Sequence, residues 1–236
     1  INPKLIINSL AYTKIDDIKN NETLAYNLNT LLPKYLSIIS KKKSIKLIHI
    51  SSDQIFDGKK NIYYEKSKPS PINLYAKQKV QAEILIKKNL KNYLILRTNF
   101  FGFSHKKDKS LDHIYESLTK NKKLNYYNDI FFNPIYILDL IKIIEKLIKL
   151  NSTGVYNVTS DKKISKYEFV MEVCKIFNLP SDKVKNINHN TLIFKEKRPK
   201  NMFLSNKKIK RKLNIKTISV TSGLCSLKSL VLNDTK

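Results

Sequence analysis

Lys46-Leu-Ile-His-Ile-Ser-Ser-Asp53 and, further along, Asn73-Leu-Tyr-Ala-Lys-Gln-Lys-Val-Gln-Ala-Glu-Ile-Leu-Ile86 decide how this chain is read. The first is a short apolar run, the pattern of a buried strand. Ser51, Ser52 and Asp53 close it at the carboxyl end, where open α/β sheets put their ligands. A loop with Asp57-Gly58, Pro69 and Pro71 follows. Asn73 then stands as an N-cap before a helix that carries Tyr75 and Lys79 four residues apart, on one face. A hydroxyl, a phenol and an amine arranged this way can move a proton onto a carbonyl oxygen. Such a set suits hydride delivery to a ketone, with Tyr75 as the acid and Ser52 orienting the oxygen. The Lys79 ammonium is expected to lower the phenol pKa from its ordinary ~10. Spacing alone does not carry this reading: with 13 tyrosines and many lysines, Tyr64/Lys68 has the same interval. That pair runs into Pro69 and is a poor candidate for a helix.

Outward from this stretch the chain alternates strand and helix. Strands are predicted at Leu5–Asn8, Leu47–Ser51, Tyr93–Arg97, Leu124–Tyr127 and Gly154–Val158. Helices are predicted at Glu22–Ile39, Leu74–Lys88, Leu111–Lys120, Ile137–Lys149, Lys166–Phe177 and Lys207–Leu213. This alternation implies an α/β fold with a parallel sheet covered by helices on both faces. No internal repeat or low-complexity linker interrupts it.

Five blocks occur in order: Asn8-Ser-Leu-Ala-Tyr-Thr-Lys-Ile-Asp-Asp17, His49-Ile-Ser-Ser-Asp-Gln-Ile-Phe-Asp-Gly58, Leu74-Tyr-Ala-Lys-Gln-Lys79, Leu96-Arg-Thr-Asn-Phe-Phe-Gly102 and Arg198-Pro-Lys-Asn201. Together they resemble the dTDP-4-dehydrorhamnose reductase family of extended short-chain dehydrogenases, from about residue 2 to about residue 215. The pattern is also similar to the methionine adenosyltransferase beta subunit, a regulatory relative. The resemblance implies a Rossmann-like, doubly wound parallel sheet in residues 1–102 and 133–158. A smaller C-terminal substrate-binding lobe would comprise 103–132 and 159–236. It implies NADPH or NADH as cofactor, leaves Mg2+ open, and is compatible with a homodimer. The family opens with a Gly-rich turn that holds the cofactor pyrophosphate at a helix N-terminus. The four glycines here, Gly58, Gly102, Gly154 and Gly223, make no such turn. The resemblance therefore implies that this chain is an N-terminally truncated piece lacking the first sheet strands, with Leu5–Asn8 as an uncovered edge and with weak cofactor binding and no activity of its own.

The same resemblance implies residue roles. Tyr75 and Lys79 match the catalytic pair, with Ser52 in place of the more usual threonine. Ala11, Tyr12, Thr13 and Ile50 lie along the cofactor, and Lys79 also reaches the nicotinamide ribose. Asp53 and Phe100 face the sugar, Phe100 standing where tryptophan is common. Arg198 and Asn201 belong to a late substrate motif, with Arg198 suited to a phosphate. Met202 replaces a serine common there. Asn29 holds a structural water or is a solvated helix residue. Asp16-Asp17 reads as a pair of helix-capping groups, and His49 as a packed histidine. His105, His113 and His189 have no metal-ligand spacing. Two function classes stay open: reduction of a 4-keto nucleotide-sugar, such as dTDP-4-dehydro-L-rhamnose, for surface polysaccharide synthesis, and a non-catalytic regulatory subunit.

Composition bounds the rest. Two cysteines, Cys174 and Cys225, are too few for a disulfide framework. No window of about 18 apolar residues suggests a membrane span. These features suit a cytoplasmic protein. The formal net charge is +26, but the lysines are spread along nearly every segment. Ile, Asn and Lys are abundant and Gly and Ala scarce, a bias typical of AT-rich coding sequence drifting over solvated positions. The excess charge suits capture of polyanionic nucleotides without implying a specific nucleic-acid partner. Binding to random duplex DNA is therefore expected to be weak, unselective and abolished by moderate salt. A salt-resistant, sequence-selective shift in an electrophoretic mobility assay would overturn this.

Overall fold

The computed structural model describes residues 2–104, 110–189 and 196–234. In chain order the first half holds β1 (Leu5–Asn8), α1 (Glu22–Tyr26), a π-helical turn (Asn27–Leu31), α2 (Leu32–Lys42), β2 (Lys46–Ser52), α3 (Leu74–Asn89), β3 (Tyr93–Thr98) and β4 (Phe100–Phe101). The second half holds α4 (Ser110–Thr119), β5 (Leu124–Tyr127), β6 (Phe131–Phe132), β7 (Ile135–Tyr136), α5 (Ile137–Lys149), β8 (Gly154–Asn157), β9 (Ile164–Ser165), α6 (Lys166–Phe177), β10 (Val184–Ile187), α7 (Lys207–Leu213) and α8 (Val220–Asp234). Every helix expected from the sequence is present. The expected single helix over 22–39 is instead α1 and α2 joined through the π turn. Pro33 marks the place: it has no N–H to give Asn29, so the regular ladder is already broken there.

Four parallel strands form the main sheet in the order β1-β2-β3-β8. Alternation along the strands sorts side chains to two faces. Leu47 and Ile95 pack with Leu36 of α2 and Ile86 of α3. Ile48, Leu94 and Leu96 pack with Leu140, Ile143 and Leu147 of α5 and Ile209 of α7. Helices thus cover both faces, as a parallel sheet requires. β1 is the sheet edge, and Ile7 on it is 49% exposed.

A separate core gathers Ile114 and Leu118 of α4, Phe132, Phe169, Val170 and Val173 of α6, and Leu224 and Leu227 of α8. Helix α8 was not expected from the sequence; Thr221, Ser222 and Gly223 in its first turn are weak helix formers. Val220, Leu224 and Leu227 are nevertheless helically spaced and buried. A Cβ on Gly223 would lie 2.5 Å from Cβ of Tyr136, so close packing against β7 demands glycine.

The sheet is tied to α3 by a buried ion pair. Arg97 of β3 donates from Nε to Glu83 Oε1 (3.0 Å) and from Nη2 to Glu83 Oε2 (2.7 Å). Ser51 Oγ adds a bond to Oε1 at 2.7 Å, and Arg97 Nη1 reaches the Glu65 carbonyl at 3.1 Å. Arg97 and Glu83 are each 1% exposed. Burial raises the Glu83 pKa, but the Arg97 bonds and charge outweigh it and hold the carboxyl below its ordinary value of 4.5. This stabilisation is complete above the unfolded-state pKa and is lost as pH falls through the lower folded-state value. Arg97→Met leaves Glu83 buried without its main partner and is expected to cost about 3–5 kcal/mol in urea unfolding near neutral pH. A loss under about 1 kcal/mol would mean that water reaches the carboxylate.

Candidate active site

β2 ends at Ser52, at the carboxyl edge of the sheet. Ser52 is extended and its Oγ accepts the Gln54 N–H at 3.1 Å, starting a short 3-10 turn over Asp53–Ile55. Asn73 caps α3: its Oδ1 accepts the Ala76 N–H at 2.8 Å, while its Nδ2 donates to the Lys197 carbonyl at 2.9 Å. The first turn of α3 is thereby tied to the segment at Lys197, and Tyr75 lies within it. The Tyr75 phenol lies next to the Ser52 hydroxyl, near enough to act on its titration. One turn on, Lys79 is 1% exposed and donates to the Ile50 carbonyl at 2.8 Å. Its Nζ also lies 3.2 Å from Nε2 of His49. The three residues singled out by spacing are thus brought together.

Their electrostatics differ from the sequence expectation. Lys79 does not depress the Tyr75 pKa. Burial pushes the phenol up to about 12; the neighbouring Ser52 hydroxyl opposes this and the Asp53 charge adds to it. Burial pulls the Lys79 ammonium down to about 8, with Glu83 opposing. The cause is common to both: removal from water penalises the charged form of each group. Asp53, 2% exposed, is also raised by burial, against bonds from Asn99 Nδ2 (2.8 Å) and Ser52 Oγ (3.3 Å).

The flank at residues 11–13 is held by Asn29. Its Oδ1 accepts the Tyr12 N–H at 2.9 Å, and its Nδ2 donates to the Tyr12 carbonyl (3.1 Å) and to Gln78 Oε1 (2.9 Å). Asn29 is fully buried and clamps protein directly, so it is not a solvated helix residue. The π turn turns Asn29 and Thr30 inward, and Thr30 Oγ1 bonds the Gln78 carbonyl at 3.1 Å. Ala11 and Tyr12 stay partly exposed and Thr13 exposed, along the same sheet edge. Ile50 packs at the rim of the α5-side core. The 3-10 turn Ile15–Asp17 has Lys14 at its N-cap and no side-chain capping bond there, so the two carboxylates are used elsewhere. Asp17 accepts the Tyr12 hydroxyl at 2.6 Å, and Asp16 pairs with Arg198.

The opposite wall comes from the second core. A cavity of about 100 Å³ is lined by Asn99, Phe100, Tyr126, Phe132 and Lys166, among others, and Phe100 is 50% exposed. Sequence reasoning missed Lys166. Its ammonium lies 3.4 Å from the Phe132 ring centroid, and burial lowers it to about 8 while Asp53 opposes. The available signal was its place: a cation in the first turn of α6, directly after the Ser165 capping box, works against the helix dipole. Arg198 is linked to Asp16 and so bridges the two sides. Asn201 is 7% exposed and donates to the carbonyls of Lys60 and Asn61, clamping the loop after Gly58. Gly58 has φ +79°, and a Cβ there would lie 2.7 Å from the Lys200 nitrogen. Met202 is buried, its Sδ 2.8 Å from Gln54 Nε2. His113 is exposed, His189 packs on Tyr127, and His105 lies outside the described residues. No cluster of metal-ligating side chains occurs among the described residues.

Comparison with known proteins places this geometry. The model of the RmlD substrate binding domain matches residues 1–229. The spore coat polysaccharide biosynthesis protein SpsK of Bacillus subtilis is 27% identical over 72% of this chain and 60% of its own length. A dTDP-4-dehydrorhamnose reductase of Aggregatibacter actinomycetemcomitans is 30% identical over 72% of this chain and 60% of its own. Methionine adenosyltransferase 2 subunit beta of Xenopus laevis is 29% identical over 78% of this chain and 58% of its own. The chain thus spans under two thirds of the length of these curated relatives. Among solved structures, a dTDP-4-dehydrorhamnose reductase of Bacillus anthracis in complex with NADP superposes with a TM-score of 0.91 at 26% identity, covering 97% of this chain and 81% of that one. The fold is the Rossmann-like α/β fold of that enzyme, and the chain belongs to the RmlD substrate binding domain family.

Proposed function

We propose that the protein carrying this chain is an NAD(P)H-dependent reductase of the short-chain dehydrogenase type. Its substrate is a 4-keto nucleotide-sugar, with dTDP-4-dehydro-L-rhamnose reduced to dTDP-L-rhamnose for surface polysaccharide. One observation carries the reading: the Ser52 hydroxyl and the Tyr75 phenol are neighbours at the carboxyl edge of a parallel sheet, with the Lys79 amine one helical turn behind. A phenol, a hydroxyl and a buried amine at that edge fit the nicotinamide half of a dinucleotide. Ala11, Tyr12, Thr13 and Ile50 would flank it, and Lys79 would reach its ribose. When bound, the nicotinamide supplies the hydride.

The chain's own residues handle the oxygen. The Ser52 hydroxyl orients the substrate carbonyl, and Tyr75 gives its proton to the oxygen as negative charge develops there. A phenol pushed up to about 12 remains protonated at every physiological pH, so the acid is always loaded. Asp53 accepts from a sugar hydroxyl, and Phe100 forms an apolar wall. Lys166 and Arg198 supply positive charge on the nucleotide side. Asn201 contributes by holding the loop beneath the substrate.

The two-core arrangement supports a cofactor lobe of residues 1–102 and 133–158 and a substrate lobe of 103–132 and 159–236. Ile209 and Ile218 of the latter nonetheless pack under the sheet. Exposed Tyr35 and Ile39 on α2 and Ile84 on α3 support a homodimer. Cys174 and Cys225 are unpaired, and no helix among the described residues is long and apolar enough to cross a membrane; these features support a cytoplasmic setting. The regulatory reading rests on the match to methionine adenosyltransferase beta subunits, which extends over a larger share of this chain. Turnover separates the two.

In the protein carrying this chain, Tyr75→Phe is expected to lower kcat for NADPH oxidation with a dTDP-4-keto-6-deoxy sugar by about 10²–10⁴-fold, with substrate affinity nearly unchanged. Wild-type turnover in the Phe variant would remove Tyr75 as the acid, and absence of turnover in the parent would favour the regulatory reading. The state of the phenol is tested separately by ultraviolet difference titration of wild type against Tyr75→Phe. No phenolate attributable to Tyr75 is expected at or below its ordinary value of 10.0. Ionisation in that range would mean that Lys79 does depress it.

A further inference from the structure

His49 is fully buried, titratable and unused by the proposed chemistry. Strand pairing sets Asn8 of β1 directly beside it, and alternation along β2 turns it toward α3. Its Nδ1 lies 3.1 Å from Asn8 Nδ2, and its Nε2 lies 3.2 Å from Lys79 Nζ. A neutral imidazole offers one N–H and one lone pair, so these two contacts cannot have the same character. Asn8 decides between them. Its Oδ1 accepts the Leu10 N–H at 3.2 Å, which turns its amide hydrogens toward His49. Nδ1 must then be the lone pair, and Nε2 must carry the hydrogen. Burial alone holds the imidazole well below its ordinary 6.5, and a charged Lys79 would only lower it further, so it does not carry both protons.

Lys79 therefore meets an N–H. An ammonium group has three donors and no acceptor, so it would set donor against donor. The neutral amine accepts from Nε2–H while still giving a hydrogen to the Ile50 carbonyl at 2.8 Å. We infer that Asn8 and His49 are positioning residues for Lys79: Asn8 locks the Nε2–H tautomer of His49, and protonation of Lys79 requires that tautomer to reverse. The other charged group acting on Lys79 is Glu83, one turn along α3, whose charge is shared with Arg97 of β3 and with Lys87. Burial already brings Lys79 to about 8, and the His49 donor acts in the same direction. The catalytic consequence rests on the proposed role of Lys79. The tautomer and the titration do not, and both are readable in the ligand-free protein.

The test is nitrogen-15 NMR of the protein labelled at histidine and lysine. In wild type, His49 is expected as the Nε2–H tautomer and Lys79 is expected to titrate below pH 8. Asn8→Asp keeps an acceptor for Leu10 but offers His49 Nδ1 a carboxylate; it should switch the ring to Nδ1–H and raise the Lys79 midpoint by at least one pH unit. Asn8→Leu adds no charge, frees the tautomer and should raise the midpoint in the same direction, which separates tautomer reversal from simple Coulomb attraction. In an active parent protein the Lys79-dependent limb of the pH–rate profile should move with the midpoint. A wild-type Nδ1–H tautomer, or a Lys79 midpoint unmoved in Asn8→Leu, would overturn the inference whatever the reaction proves to be.

Discussion

The bidentate pair between Glu83 and Arg97 is the contact on which the rest of the site depends. Tyr75, Lys79 and Glu83 follow one another at four-residue intervals on α3 and so share one face. Pinning Glu83 to Arg97 and Ser51 at 2.7–3.0 Å fixes the rotation of the helix about its axis. That rotation, carried up two turns, aims Lys79 at the Ile50 carbonyl and Tyr75 at Ser52. The same guanidinium holds the Glu65 carbonyl, and Glu65 Oε1 accepts the Asn157 N–H at 3.1 Å. One buried cation thus links α3, two neighbouring strands and the loop between Asp53 and Asn73.

Such an arrangement requires a helix whose buried face is polar. Gln78, Lys79 and Glu83 are all under 5% exposed, and Tyr75, Ala76, Ala82 and Ile86 make up the rest of the buried residues of the helix. Each of these three polar side chains has a defined partner, with Gln78 Nε2 the one polar atom among them left unpaired. Gln78 bonds Asn29, Lys79 bonds Ile50, and Glu83 bonds Arg97. The partners come from β2, β3 and the π turn, so the network orients elements that hydrophobic packing alone would leave free to slide.

This explains which parts of the structure were legible beforehand. Helix α5 has a clean apolar stripe, and its bounds, Ile137–Lys149, follow directly from the pattern. The strands β2 and β3 are apolar runs ended by polar residues, and their place in a parallel sheet follows from the alternation around them. Tyr75, Lys79 and Ser52 were legible because spacing and a strand end are local facts. Glu83, Arg97, Gln78 and Lys166 were not, because their meaning lies in contacts across 14 to more than 100 residues of chain. The direction of the Tyr75 shift was misread for the same reason: helical spacing shows that an ammonium is near, but not that both groups are out of water. The short strands β4, β6, β7 and β9 have two residues each and leave no periodic signal.

Burial inverts the ordinary order of the two central groups. In water, lysine and tyrosine titrate at 10.5 and 10.0; here Lys79 falls to about 8 and Tyr75 rises to about 12. No special partner is needed for this, because loss of water penalises phenolate and ammonium alike and so moves the two values apart. The phenol then holds its proton more tightly than the amine behind it. In the proposed reduction Tyr75 gives up one proton per turnover, and the phenolate left behind is a far stronger base than Lys79. A proton reaching the amine therefore passes to the tyrosine downhill, and the site reloads its acid from the buried side.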